Sequence, residues 1–256
     1  MKWPEQLTLI RHDTSTFNAS KVAKETDELY LRFREAFEAN PESEETHDLA
    51  LQVHEKFKPT VGDWDTPLWD GESPNACTVG QNLTKHIDCP DVIFVSPYIR
   101  TQATLAGLVR GWPNLGTVRT YVDDRLREQE HGLANLFGDW RVFHALHPEQ
   151  RLLYNMHKRY FYCFPQGESV PNVRERIALW LNTITRDFAS KRILVVTHHL
   201  TILSIRASLE RLSYEQFIHL DKHEKPMNCG ATFYRGYPNL GSDGHLALEQ
   251  YNVKLY

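Results

Sequence analysis

Two histidines lie directly after short apolar runs that are far apart in the chain. Leu7–Ile10 is followed by Arg11 and His12, and Ile193–Thr197 is followed by His198. Short runs of this kind are typical of buried strands in a parallel sheet, and ligands bind outside the carboxyl ends of such strands. The two histidines and the arginine are therefore predicted to meet at one crevice. A histidine that attacks phosphorus there would hold the phosphoryl group covalently and divide one displacement into two.

The sequence also offers the positive charges and the acid that phosphoryl transfer requires. Arg11 ends the first run, and Arg100 follows another strand end, where it begins a predicted helix. An arginine guanidinium matches two phosphate oxygens at once, and a helix N-terminus adds amide donors. Glu128, in a run dense with charge, is the candidate acid that protonates the leaving alcohol. We thus predict His12 as the nucleophile and His198 as a group that stabilises the transferring charge.

Strand and helix patterns alternate along the chain. Strand-like runs are predicted at residues 7–10, 92–96, 117–122, 193–197, 229–235 and 246–253. Apolar residues at helical spacing fall between them, at 99–109 and 173–188. This order predicts an α/β fold with a mostly parallel sheet that is covered by helices on both faces. The last two runs read as an antiparallel pair joined by residues 236–245.

One segment, 20–57, departs from this alternation because it has no strand pattern. Its apolar residues lie on one helical face up to Phe37, a break follows at Asn40-Pro41, and a second helix is predicted from about Glu44 to Phe57. The chain is otherwise predicted to be one domain over residues 1–256. Two interpretations of the insertion stay open: a cap that shapes substrate choice, or a helical decoration that stabilises the domain.

Composition favours an ordinary globular protein. The chain has 256 residues, 24% of them charged, and a formal net charge of −4, which argues against a broad nucleic-acid footprint. No apolar run reaches membrane-spanning length, and residues 1–5 lack the apolar core of a secretory signal. The four cysteines form no CxxC pair, which is typical of reduced thiols in the cytosol. We therefore expect a cytoplasmic protein that binds neither nucleic acid nor membranes; its oligomeric state is left open.

Six motifs in chain order resemble those of the histidine phosphatase superfamily, the phosphoglycerate-mutase-like proteins of branch 1. The family pattern opens with a strand that is followed by Arg-His and then by Ser and Asn. Residues 11–18 match this opening motif. The other five motifs match residues 65–68 with Gly80, 96–104, 126–132, 167–169 and 195–198, and a closing Asn-Cys matches 228–229. The match covers the whole chain except the 20–57 insertion.

The resemblance implies a three-layer α/β/α sandwich and a metal-independent phosphomonoesterase without a cofactor. Its substrate would be a small phosphate ester, hydrolysed through a phosphohistidine intermediate. The catalytic residues are then expected to be His12, Glu128 and His198. The expected phosphate ligands are Arg11, Ser15, Asn18, Arg100 and His199.

Two residues depart from the family pattern, because glycine usually follows each of the two histidines. Here Asp13 follows His12, and His199 follows His198. A carboxylate roughly 7 Å from a bound phosphate would repel it by about 2 kcal/mol at an effective dielectric of about 20. We therefore expect Asp13 to turn away and to accept hydrogen bonds from the amides of residues 14–16. Its replacement by glycine would then cost roughly 1 kcal/mol of stability.

Three other functions remain open. A metal-dependent phosphohydrolase is one, since His12-Asp13, His47-Asp48 and His198-His199 are candidate ligands. Such dipeptides belong to all-helical folds, whereas His12 follows a strand. A catalytically weakened member that acts as a binding protein is the second. Phosphoglycerate-mutase-type transfer is the third, but mutases carry a tyrosine at the place of His131 and a pair of adjacent arginines that this chain lacks. These differences favour a phosphatase, and the sequence does not name its substrate.

Overall fold

The chain divides into two compact units in a computed structural model, which describes residues 2–240 and 243–256. The first unit comprises the described residues up to Ser15 together with Pro67–Glu128 and Asn172–Tyr256. The second comprises Thr16–Thr66 and Gln129–Pro171. Each unit is described separately below.

Among the described residues, the strands all belong to the first unit. They are β1 (Gln6–Arg11), β2 (Val92–Val95), β3 (Thr120–Val122), β4 (Arg192–Thr197), β5 (Ala231–Tyr237) and β6 (His245–Val253). The α-helices found in the described part of the chain are α1 (Thr16–Lys24), α2 (Glu28–Ala39), α3 (Glu44–Phe57), α4 (Pro74–Leu83), α5 (Ile99–Gly111), α6 (Trp140–Leu146), α7 (Pro148–Phe161), α8 (Val170–Asp187), α9 (His199–Leu209) and α10 (Tyr214–His223).

The six strands found among the described residues form one sheet in the order β3-β2-β4-β1-β5-β6. The pairs β3/β2, β2/β4 and β4/β1 are parallel, whereas β5 is antiparallel to both β1 and β6. This arrangement confirms the predicted mostly parallel sheet and its antiparallel closing pair. In the β1/β4 pair Arg11 lies opposite Thr197. The residues that follow these two strands, His12 and His198, therefore leave the sheet side by side.

Helices cover both faces of this sheet. Ile193 and Val195 of β4 belong to a core completed by α8 and α9, whereas Leu194 and Val196 belong to a core completed by α4 and α5. Alternate side chains of a strand point to opposite faces, so this apolar run is buried on both sides. The three-layer α/β/α sandwich is confirmed.

Local contacts explain where element boundaries differ from the predicted ones. Residues 113–117 form a 3₁₀ turn, so β3 begins at Thr120 rather than at residue 117. In the insertion, α1 and α2 are separate helices because the Asp27 side chain accepts a hydrogen bond from the Tyr30 amide (3.2 Å) and starts a new helix. The α3 helix has the predicted bounds. Of the connection predicted over 236–245, residues 241 and 242 lie outside the described residues.

The second unit has a helical core of its own. Phe33 of α2, Val53 of α3 and Val142 of α6 are buried together in it. The 20–57 insertion therefore packs with the 129–171 segment into one unit. Its role as a cap stays a prediction.

Two further observations concern the chain as a whole. Cys77, Cys89, Cys163 and Cys229 are free thiols. Within the described residues, the helices are all too short or too polar to cross a membrane.

His144 of α6 is buried among aromatic rings of the second unit. The residue is 1% exposed, and neither ring nitrogen has a hydrogen-bond partner within the described part of the chain. Burial, together with the charges of Arg151 and His147, lowers its pKa from 6.5 to about 4. Five aromatic rings surround the imidazole, with their centroids 5.1–6.1 Å from its centroid: Trp140, Phe143, Tyr154, Tyr162 and Phe164.

Lowering the pH from 7 to about 4.5 is expected to destabilise the second unit by roughly 2 kcal/mol through His144. His144 binds a proton with a pKa of 6.5 in the unfolded chain, but with a pKa of about 4 in the folded unit. Stability is therefore lost as the pH falls through that interval. His144→Phe should reduce this loss, as measured by urea unfolding at both pH values. His47→Phe, at an exposed site on α3, is the matched control. An unchanged pH dependence in His144→Phe would contradict the assignment.

Candidate active site

Side chains from three neighbouring strand ends meet at one edge of the sheet. The ring centroids of His12, after β1, and His198, after β4, are 5.2 Å apart. The Tyr98 ring, after β2, lies 4.9 Å from that of His198, and the guanidinium carbon of Arg100 lies 4.7 Å from the Tyr98 centroid. The structure thus brings together the two histidines and the second arginine that the sequence singled out.

A backbone hydrogen bond fixes the tautomer of His12. Its Nδ1 lies 2.7 Å from the carbonyl oxygen of Asp13. A carbonyl oxygen only accepts, so Nδ1 carries the proton and Nε2 keeps its lone pair. Burial, and then the charges of Arg100 and Arg11, hold the pKa of His12 well below its ordinary value. The imidazole is therefore neutral at pH 7, which is the state in which Nε2 is a nucleophile.

The second histidine is oriented by a serine. His198 is fully buried, and its Nε2 lies 2.7 Å from Ser96 Oγ, directly after β2. When the hydroxyl donates to Nε2, the ring proton resides on Nδ1, which has no partner among the described residues. Burial, followed by the charge of Arg100, holds the pKa of His198 well below its ordinary value. A neutral imidazole in this tautomer donates a hydrogen bond through Nδ1.

Two arginines make this edge of the sheet positive. Arg100 is 4% exposed, and Arg11 donates through Nη1 to the carbonyl of Pro226 (2.7 Å). Arg11 Nε is also buried and has no acceptor within the described part of the chain. Burial lowers the pKa of Arg11, and so does the charge of Arg100, whereas the charge of Glu128 opposes them. Two guanidinium groups whose charges act on each other favour an anion of more than one oxygen.

Glu128 lies at the N-terminus of the helix that follows His198. Its carboxylate oxygens accept from the Leu200 amide of α9, at 3.1 and 3.4 Å. The candidate acid is thereby placed beside the candidate second histidine, in the same unit.

The carboxylate of Asp13 is used entirely within a structural network. It accepts from the Thr14 amide (2.8 Å), one of the three amides predicted, and also from Ser73 Oγ (2.8 Å), Asn75 Nδ2 (3.2 Å) and the Ala76 amide (3.3 Å). The last three donors lie at the start of α4. Asp13 therefore connects the loop after the nucleophile to the start of α4.

This network enlarges the stability effect expected for Asp13→Gly. Four donors would lose an acceptor in a site that is 3% exposed, so we expect a loss of roughly 3 kcal/mol rather than about 1 kcal/mol. Phosphatase activity should be kept, because the carboxylate bonds to no catalytic side chain. Urea unfolding and an activity assay measure the two effects. As a control, Asp70→Gly removes a single acceptor, that of the Ser73 amide (3.0 Å), and should cost roughly 1 kcal/mol.

An activity loss as large as that of a nucleophile variant would contradict this assignment. Asp13 would then take part in the chemistry, and metal-dependent hydrolysis would become the better hypothesis.

The other unusual residue, His199, is also held by a side chain of its own unit. Its Nε2 lies 3.1 Å from Asp221 Oδ1 of α10, and both side chains are largely buried. Burial lowers the pKa of His199, whereas the hydrogen bond and charge of Asp221 and the charge of Glu128 oppose this shift. Nε2 thus faces a carboxylate, whose negative charge would repel a phosphate. Any role of His199 as a phosphate ligand falls to Nδ1 and stays a prediction.

The remaining predicted ligands, Ser15 and Asn18, belong to different units. Ser15 is buried in the first unit, where it pairs with Leu68. Asn18 lies on the first turn of α1, in the second unit. Their contacts with phosphate stay predictions. His47 and Asp48 are exposed on α3, and no group of three or more His, Cys, Asp or Glu side chains among the described residues is arranged to hold a metal ion.

The structure adds residues that the sequence motifs did not assign. Ser96 orients His198, Ser73 and Asn75 hold Asp13, and Arg176 bonds to the backbone around Glu128. Of these residues, only Ser96 could have been predicted from the sequence, since it lies at the end of a predicted strand.

Comparisons with known proteins identify the family. The family model described as the histidine phosphatase superfamily (branch 1) matches residues 53–229. Two phosphoglycerate mutase-like proteins of Arabidopsis thaliana are similar in sequence. AT74H is 26% identical over 208 residues, which cover 77% of this chain and 63% of that protein. AT74 is 28% identical over 134 residues, which cover 48% of this chain and 40% of that protein. The matches therefore span about three fifths of AT74H and about two fifths of AT74.

Solved structures share the fold at low sequence identity. A mycobacterial glucosyl-3-phosphoglycerate phosphatase with inorganic phosphate is 17% identical, with a TM-score of 0.63 over 98% of both chains. A putative α-ribazole-5′-P phosphatase from Escherichia coli is 15% identical, with a TM-score of 0.66 over 98% of both chains. At this identity the likeness shows the fold alone.

Proposed function

The chain belongs to the histidine phosphatase superfamily (branch 1), and on this premise we propose that it hydrolyses a small phosphate monoester through a phosphohistidine on His12. One observation carries the proposal: the bond from Nδ1 to the Asp13 carbonyl leaves the lone pair of a neutral imidazole on Nε2, and the charges of Arg100 and Arg11 both act on this ring. A neutral, oriented imidazole next to guanidinium groups suits attack on a phosphoryl group.

In the first step, His12 Nε2 forms a bond to phosphorus as the bond from phosphorus to the ester oxygen breaks. Arg11 and Arg100 stabilise the charge on the phosphoryl oxygens, and His198 donates through Nδ1. The leaving oxygen takes its proton from Glu128, so that an alcohol departs. The step ends with phosphohistidine and a Glu128 carboxylate.

In the second step, water attacks phosphorus and the bond to Nε2 breaks. Glu128 removes a proton from the water, which returns the acid to its starting state and releases inorganic phosphate. The steps use only side chains of this chain, all of them from the first unit.

A phosphatase is favoured over a mutase within the family. His131 occupies the place of the mutase tyrosine, and the following segment has no adjacent arginine pair. The solved structures of like fold named above include phosphatases, which supports this choice, whereas the Arabidopsis relatives are named mutase-like.

A panel of small alkyl phosphates, assayed with EDTA present, tests the proposal. We expect inorganic phosphate to be released at the same rate with and without the chelator. Loss of activity in EDTA that a divalent metal restores would overturn the mechanism. Transfer of the phosphoryl group to a second position of the substrate, without phosphate release, would identify a mutase instead.

A further inference from the structure

Side chains from three other elements hold the turn that carries Glu128. Each of the four carbonyl oxygens of residues 125–128 accepts a side-chain hydrogen bond. Thr197 Oγ1, at the end of β4, donates to the second of these carbonyls, and Thr201 Oγ1 of α9 donates to the third, each over 2.6 Å. The backbone of this turn is therefore fixed at every residue.

Arg176 of α8 supplies most of these bonds. Its Nη1 donates to the carbonyls of Arg125 (2.6 Å) and Arg127 (2.9 Å), and its Nη2 donates to that of Glu128 (3.0 Å). The residue is only 8% exposed, so three carbonyl dipoles stabilise a buried cation. The planar guanidinium spans the turn from its first to its last residue, which an ammonium group does not reproduce.

The carboxylate at the other end of Glu128 is bound separately. It accepts from the Leu200 amide, two residues beyond His198. Glu128 is thus held at two points: Arg176 binds its backbone carbonyl, and the Leu200 amide at the start of α9 binds its carboxylate. Proton transfer requires the acid within hydrogen-bond reach of the leaving oxygen, so a displaced backbone would slow the reaction without preventing substrate binding.

We propose that Arg176 is a positioning residue for the catalytic acid: it sets the place of the Glu128 carboxyl through the backbone of residues 125–128. The inference rests on the proposed role of Glu128. Arg176 itself does not contact the reacting atoms in this scheme.

Arg176→Lys, compared on an alkyl and an aryl phosphate, tests the inference. Lysine keeps the buried charge but bonds to fewer carbonyls. We expect kcat on the alkyl ester to fall by roughly 10–100-fold, the usual cost of a misplaced catalytic group, with little change in KM. The aryl ester, whose leaving group needs little protonation, should be affected much less. Equal losses on both esters would overturn the inference.

Two further variants complete the experiment. Arg206→Lys changes another buried arginine of the first unit, which lies on α9 and pairs with Glu210, and should leave the alkyl-to-aryl ratio unchanged. Glu128→Gln combined with Arg176→Lys should be no slower on the alkyl ester than Glu128→Gln alone, because both changes act through one group. Additive losses would overturn the inference.

The test separates this inference from the proposed function. If Glu128→Gln itself shows no alkyl-to-aryl difference, the acid role is wrong and the inference is overturned with it. If Glu128→Gln shows the difference but Arg176→Lys does not, only the inference is overturned.

If Arg176→Lys does not fold, Thr201→Val removes one donor to the same turn with little change in shape. It should then shift the ratio in the same direction by a smaller factor, and an unchanged ratio would count against positioning.

Discussion

His12→Ala is expected to lower kcat by several orders of magnitude. The substitution removes the atom that forms the bond to phosphorus, and no other group of the site replaces it. His198 is a second imidazole of the site, with its centroid 5.2 Å away, but its Nε2 is engaged by Ser96. Substrate binding should be weakened far less, because Arg11 and Arg100 are unchanged.

Steady-state kinetics and trapping of the intermediate measure this effect together. Rapid quenching into base preserves the phosphorus–nitrogen bond, so wild-type protein should carry labelled phosphate and His12→Ala should carry none. His219→Ala, at an exposed position of α10 in the same unit, is the control and should retain both activity and labelling. Label that persists in His12→Ala would place the covalent intermediate on another residue.

Glu128→Gln is expected to slow hydrolysis of alkyl phosphates by roughly 10²–10⁴-fold, the usual contribution of a general acid. Glutamine keeps an oxygen that accepts from the Leu200 amide, so the geometry of the turn should be preserved. It has no proton of suitable acidity to give to an alkoxide. Aryl phosphates should lose less, because their leaving oxygens depart as stable anions.

The ratio of alkyl to aryl kcat/KM is the measurement that identifies the acid. Glu130→Gln, two residues along the chain, serves as the matched control and should leave the ratio near that of the wild type. Equal loss on both ester types in Glu128→Gln would remove Glu128 from the acid role. A shifted ratio in Glu130→Gln instead would assign the role to that residue.

The strands that carry the two histidines were predictable because their signal is local. Apolar β-branched runs must be buried, and in a sheet of parallel strands the residues that follow them emerge at one edge. His12, Arg100 and His198 were placed correctly at strand ends on this basis. The order of the strands was not predictable, since it depends on which apolar faces pack best against the helices on either side. Only the structure shows that β4 lies between β1 and β2.

The two unusual residues show the limit of local reasoning. The bond from the Thr14 amide to Asp13 was expected because donor and acceptor are neighbours in the chain. The donors Ser73 and Asn75 were not, since they are about 60 residues away and reach Asp13 only after α4 packs on the sheet. The same holds for the pairing of His199 with Asp221.

By itself, the sequence determined the α/β class, the strand ends and the residue types that suit phosphoryl transfer, since each depends on a short pattern. The tertiary structure decided the state of those residues. The proton on His12 Nδ1 depends on the direction of one carbonyl, and the place of Glu128 depends on Arg176, about 50 residues away. Hydrogen bonds are effective only within a few tenths of an ångström and a narrow range of angles. Such bonds between distant segments form only when packing has fixed the backbone on both sides, and no short pattern in the sequence encodes that.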